Sequence, residues 1–294
     1  MQNVINWIGF LAFGIVVVLI MIKAKSDEEE YYPLKMFGYY FLGAFQFIFN
    51  GAHIPLGFVI FILFLRSPNK NAKAKRYAAC VGVLALATAL IIPSITDMYY
   101  QRERIIKSDT NNIYELDFNN HIQRVKEVLD IDEQFYRYFK LENLKVGYEK
   151  SGEIIRLNYE VVWKEESELR YLRAIYDPKN RVFKVKPKKI EQWLQYDRMI
   201  IADRMFDILD GIDLREVVPK EGYSSYGLTY RWSPGSFGAF KERVYIIDGY
   251  KIIPFASEKP VNCSWFVTYG MASSSEGSSS SDYSQYYLFD VINK

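Results

Sequence analysis

Residues 155–164, IRLNYEVVWK, set Ile155, Leu157, Tyr159, Val161 and Trp163 against Arg156, Asn158, Glu160 and Lys164, an alternation broken only at Val162. Side chains of a strand point alternately to opposite faces, so this period of two predicts a strand with one buried face. Turn formers bracket it: Lys150-Ser151-Gly152 before, Glu165-Glu166-Ser167 after and Asp177-Pro178-Lys179-Asn180 further on. That punctuation predicts strands near 169–176 and 181–186, joined as an antiparallel meander.

Upstream, HIQRVKEVLDIDEQFYRYFK (121–140) carries Ile122, Val125, Val128 and Leu129 at helical spacing, which predicts one or two short amphipathic helices after Asp117-Phe118-Asn119. Downstream, Ile190, Trp193, Leu194, Ile201, Met205 and Ile208 predict a helix over 188–209, with Gly211 where a C-cap belongs. In ERVYIIDGYKIIPF (242–255), Asp248-Gly249 separates two apolar runs and predicts a hairpin. Two more strands are expected at 263–271 and 283–292, joined by a serine-rich loop. Strands and helices come in blocks rather than in βαβ units. The class is therefore α+β: an N-terminal helical membrane region and a C-terminal, mainly antiparallel sheet domain packed by helices.

The membrane reading rests on the distribution of charge. The chain has 294 residues, half of them hydrophobic, enough to bury a sizeable core. Residues 1–99 carry a net charge of +3 and residues 100–294 a net charge of −1, which divides the chain into a transmembrane region and an extracytoplasmic domain. Residues 4–22 hold no charge and match the hydrocarbon thickness of a bilayer as a helix. A cleavable signal peptide competes for that segment, but basic residues before it and a small-residue cleavage pattern after it are missing, which favours a retained anchor. Residues 77–96 form a second span, ending near Asp97 and the interfacial pair Tyr99 and Tyr100. Between them, 36–65 is either one tilted, kinked helix or a tight helical hairpin, interrupted at Asn50-Gly51-Ala52-His53-Ile54-Pro55. The loop 66–76 holds five cations and no acid and is expected in the cytoplasm, so the following helix carries residues 100–294 outside. A hairpin puts the N-terminus outside too; a single crossing puts it inside.

Catalytic signatures are scarce. Cys80 lies in a predicted membrane helix and Cys263 in the outer domain, so no disulfide joins them, which suits a bacterial envelope. The two histidines, His53 and His121, belong to different regions, so neither a zinc tetrad nor a recognisable hydrolytic triad is available. Asp207, Asp210 and Asp213 supply oxygen ligands but miss the EF-hand spacing, and a solvated helix end accounts for them. The loop 233–238 lacks the phosphate-binding patterns. No catalytic residue, metal site or cofactor is assigned.

Two sets of residues remain as candidates. Gln46, Asn50 and His53 are spaced to share one helical face inside the bilayer, as a helix contact or an ion path. Trp232, Tyr283, Tyr286 and Tyr287 stand out among the aromatics of the last third as an outer face able to bind a protein partner or a wall glycan. The near-neutral domain argues against nucleic acid. The expectation is a non-enzymatic, multi-pass bacterial membrane protein in contact with membrane lipid, whose outer domain binds a protein partner in an envelope assembly or sensing complex. An envelope enzyme using Asp203, Asp207 and Asp210 is the alternative, as is a transport subunit, which would need a homo-oligomer to build a pathway from so few spans.

Overall fold

The computed structural model describes residues 2–49, 52–65, 70–166, 168–193, 196, 199–219, 223–231, 243–255, 264–271 and 282–288. The chain divides between Tyr99 and Tyr100 into two compact units. Together they make an α+β protein with one large mixed sheet.

The first unit contains helices α1 (Gln2–Lys23), α2 (Tyr32–Ala44), α3 (Leu56–Ile60, continued by one π-helical turn, Phe61–Leu65) and α4 (Ala72–Tyr100). Strands β1 (Phe47–Phe49) and β2 (Ala52–Ile54) form a small hairpin between α2 and α3. Among the described residues, α4 is the one helix long and apolar enough to cross a membrane, and it lies mid-chain, not at the N-terminus.

The segment 36–65 turns back on itself, and a polar knot shows it. The Asn71 side-chain oxygen accepts from the backbone N–H of Ser26 (2.8 Å) and of Asp27 (3.0 Å), and its amide donates to the Asp27 carbonyl and the Glu29 carboxylate. Lys75 at 2.7 Å and Lys35 at 2.9 Å both reach one carboxylate oxygen of the same Glu29. Lys75, Asn71 and Lys35 hold the Glu29 carboxyl down at about 2. The α1–α2 connection and the start of α4 therefore sit at one end of the unit, and the chain that leaves along α2 has come back by residue 71.

Small residues make the return compact. A Cβ on Gly82 would overlap the Tyr40 carbonyl, and one on Gly43 the Ala79 carbonyl, so α2 and α4 cross backbone to backbone. Val17, Met36, Tyr40, Ala74 and Ala78 fill the seam between α1, α2 and α4.

The hairpin corrects one expectation. Gln46, Asn50 and His53 do not share a helical face: Gln46 precedes β1, His53 pairs with Ile48 across the hairpin, and Asn50 lies outside the described residues. Phe47-Ile48-Phe49 is a β-favouring run, and with Pro55 after it the helix does not continue.

In the second unit, ten strands form one sheet: β3 (Arg104–Lys107), β4 (Lys140–Glu149), β5 (Ile154–Glu165), β6 (Glu168–Asp177), β7 (Val182–Ile190), β8 (Ser225–Arg231), β9 (Val244–Asp248), β10 (Lys251–Pro254), β11 (Ser264–Met271) and β12 (Tyr283–Leu288). Their order is β10-β9-β12-β11-β8-β4-β5-β6-β7-β3, and every neighbouring pair is antiparallel except β9–β12. Helices α5 (Phe118–Val128) and α6 (Ala202–Gly211) cover one face, with Phe118 stacked on Phe206 at 5.7 Å. Leu144, Tyr159, Ala174, Val185, Tyr230 and Phe266, drawn from six strands, form the buried floor beneath them.

The helix expected over 188–209 starts only at Ala202. Lys188, Lys189 and Ile190 still pair with Tyr171, Arg170 and Leu169, extending β7. Trp193 then packs on Tyr171 and donates to Glu142 on the outer face. Its apolar spacing with Ile190 reflects two different contacts rather than one helical stripe.

Candidate functional site

Helix α5 begins where Asp117 accepts from the Asn120 N–H at 2.7 Å, an N-cap written in the sequence Asp-Phe-Asn-Asn. A second carboxylate completes that start: Asp210, at the end of α6, accepts from the N–H groups of Phe118 and Asn119, both at 2.8 Å. The two helices are thereby fixed end to end, with a negative group at the positive pole of α5. Partial desolvation raises the Asp210 carboxyl above its usual range, while the two N–H donors pull it the other way.

A cleft of about 600 Å³ opens at this junction, between the 113–119 segment and the 209–215 segment. Its apolar wall is Ile113, Leu116, Leu209, Ile212 and Leu214, and four carboxylates rim it: Glu115, Asp117, Asp210 and Asp213. One cation stands among them. The Arg215 guanidinium lies over the Tyr114 ring at 4.4 Å and 3.7 Å from Asp213. A smaller recess next to it shares Glu115, Leu116 and Asp117.

The neighbouring histidine serves the core. His121 is buried, its Nε2 lies 2.8 Å from the Tyr159 hydroxyl, and its ring packs on Phe183 at 3.9 Å. Burial, helped by Arg124, pushes it down to about 3, so it stays neutral at physiological pH.

The acids of α6 are each engaged elsewhere. Asp203 grips Lys126 through both oxygens at 2.7 Å. Asp207 meets Arg204 at 2.6 Å and the Tyr250 hydroxyl at 2.9 Å. Asp210 caps α5. They do not converge on a reacting centre as the enzymatic alternative requires. Among the described residues no group of three His, Cys, Asp or Glu side chains is placed to hold a metal ion.

The aromatic face needs correction. Tyr286 is 3% exposed, stacked between Tyr245 and Phe266 at 5.1 Å each, with its hydroxyl donating to the Val217 carbonyl. Tyr287 is 2% exposed, paired with Trp265 across β11–β12 and packed near Phe255. Adjacent strand residues point to opposite faces, so these two tyrosines never formed one surface. Tyr283 is half-buried opposite Tyr269, and Trp232 lies outside the described residues, as do Cys263 and the loop 233–238.

Sequence reasoning passed over Tyr114, Glu115 and Arg215. The signal was a pair of local side-chain turns: Asn112 accepts from the Tyr114 N–H and Asp213 from the Arg215 N–H, each two residues on. No protein-family model, curated protein or solved structure matches the chain.

Proposed function

We propose that the chain is a non-enzymatic, membrane-anchored binding protein of the bacterial envelope, whose sheet domain stands outside and receives a basic segment of a protein partner in the acidic cleft. The cleft carries this reading: four carboxylates and one arginine rim an apolar wall, a composition that favours a cationic and partly apolar ligand over an anionic one.

The anchor is supported by where apolar surface is left uncovered. Of the 30 large hydrophobic side chains exposed among the described residues, 24 belong to residues 1–99, including Ile15, Leu19, Ile22, Leu63, Ile91 and Ile95. Water does not tolerate so much contiguous apolar surface; lipid does. In this reading α1, the returning segment 36–65 and α4 all meet lipid. Segment α2 with β1 spans roughly 30 Å at about 1.5 Å per helical and about 3.3 Å per strand residue. The open edges of the β1–β2 hairpin then belong at the headgroup level, where water satisfies them. Lys23, Lys25, Lys35, Lys70, Lys73 and Lys75 gather at the end opposite that hairpin, which favours this end as cytoplasmic.

The test has two parts. In a cysteine-free background, Lys179→Cys should react with a membrane-impermeant maleimide on intact cells and Lys73→Cys only after lysis; the reverse pattern overturns the topology. Carbodiimide treatment of intact cells should join a cleft carboxylate to a partner lysine, and Glu115→Gln with Asp213→Asn should lose that adduct. An adduct that survives both changes overturns the cleft as the binding site.

A further inference from the structure

The face of the sheet away from α5 and α6 carries a different chemistry. On it, register places Ile105, Lys184, Ile175 and Asn158 in one row across β3, β7, β6 and β5, with Lys186, Arg173 and Glu160 in the next. Lys107 and Asp177 flank Val182 in the row on one side, Lys188 stands beside Tyr171 on the other, and Arg156 follows two residues from Asn158. Six cations thus share this patch with two acids, and both acids are engaged: Asp177 by Lys184 at 2.9 Å and Glu160 by Arg173 at 3.6 Å. Glu103 approaches Lys184 at the β3 edge, and Glu142, held by the Trp193 indole, lies near Tyr171; these are two further acids nearby. Lys107, Lys186 and Arg156 are exposed and make no ion pair among the described residues. Amid this positive field stand two bare isoleucines, Ile105 at 63% and Ile175 at 42% exposure, on either side of Lys184.

We infer that this outer face of β3, β5, β6 and β7 is a docking surface for an anionic lipid bilayer. Cations draw the face to acidic headgroups, and the isoleucines supply the apolar contact that an interfacial surface adds to charge. A soluble acidic partner would be met by the cations alone and leaves two central isoleucines without a role. Chain length points to the same occupant. Strand β3 begins at Arg104, four residues after α4 ends at Tyr100, so no more than about 14 Å of extended chain separates this edge from a helix read above as crossing the bilayer. So short a tether keeps a bilayer at high effective concentration. The inference rests on the membrane reading of α4.

The test uses the full chain in nanodiscs of phosphatidylcholine alone or mixed equally with phosphatidylglycerol. An environment-sensitive fluorophore is placed at Ile175→Cys on the face or at Gln123→Cys on α5, with spin-labelled lipid as quencher. In phosphatidylglycerol discs the Ile175 label should shift to the blue and be quenched, added salt should reverse this, and the Gln123 label should not respond. Changing Lys107, Arg156, Lys186 and Lys188 together to Gln should weaken the lipid-dependent quenching by about 10-fold or more. Equal responses of the two labels, or no dependence on phosphatidylglycerol, overturn the proposal while leaving the anchor intact. A shift produced instead by an oligonucleotide or an acidic polypeptide in phosphatidylcholine discs overturns lipid as the occupant. A chain that does not enter discs at all overturns the membrane reading of α4. In that event the labelled chain is floated with vesicles of the same two compositions, where flotation independent of phosphatidylglycerol overturns the face by itself.

Discussion

Replacing Asp203 should damage the fold far more than replacing the lysine it holds. Lys126 is 0% exposed, its ammonium lies 2.7 Å from both Asp203 oxygens, and the Tyr136 ring sits 4.1 Å from it. Asp203→Ala strands a positive charge in the core with only ring faces for company, which costs about 3–5 kcal/mol. Lys126→Met removes the charge and keeps the stem, and the abandoned carboxylate, about one-third exposed, can turn to water; this costs about 1 kcal/mol or less. For a unit of this size each kcal/mol moves the melting midpoint by about 2–4 °C. Thermal unfolding of the full chain in detergent, followed by tryptophan emission, should therefore show a drop of roughly 6–20 °C for Asp203→Ala and no more than about 4 °C for Lys126→Met. The double variant should recover to the level of Lys126→Met. The reasoning is refuted if Lys126→Met falls as far as Asp203→Ala, because the pair would then be stabilising in itself rather than mutually compensating.

Three further outcomes follow from the same geometry. His121 titrates near 3 when folded against an ordinary value of 6.5, so the unfolded chain takes up a proton that the folded one refuses, and stability falls as pH drops from about 6.5 toward 3. Between pH 7.5 and pH 5 the wild type should lose about 2 kcal/mol more than His121→Gln, measured by urea unfolding; identical losses refute a neutral buried imidazole. Asp210→Ala removes the acceptor for two N–H groups of α5 and should cost about 1–2 kcal/mol, with amide exchange accelerating first at Phe118 and Asn119. Gly82→Leu sets a side chain against the α2 backbone and should open the first unit to protease in detergent, whereas Ala85→Leu, three residues along the same helix, should be milder.

Why the fold could be read in parts follows from the strands themselves. In β5 the alternation holds from Leu157 to Trp163 but fails at its start, where a register shift opposite Gly147 and Tyr148 buries Ile154 and leaves Ile155, expected on the buried face, 51% exposed. The break at Val162 has a meaning too, since Val162 is buried on the outer face beside Tyr171, where Trp193 closes over the sheet. Strand β4 escaped recognition because a register shift between Leu141 and Asn143 lets Leu141 and Leu144 both face the core. Their three-residue spacing imitates a helix. Strand β3 is only four residues long and its period is invisible at that length. The hairpin at Asp248-Gly249 was legible because the turn is local: Gly249 takes φ 62 and Asp248 pairs with Lys251 three residues later.

Long-range placement is what a linear reading lacks, and both candidate surfaces depend on it. Asp210 was visible as one of three spaced acids on a helix, but its partners are two backbone N–H groups 91 and 92 residues away, so its role as a cap was not. The cleft needs segments near 115 and 213 side by side, and charge summed along the chain could not separate its acidic rim from the basic outer face. The domain's net charge of −1 hides both. A near-neutral total therefore excludes neither a cation-binding cleft nor an anion-binding face; it excludes only a surface of one sign throughout. The two proposed surfaces rest on the division of charge by the sheet: acids gathered where α5 and α6 meet, lysines and arginines on the face the helices leave bare.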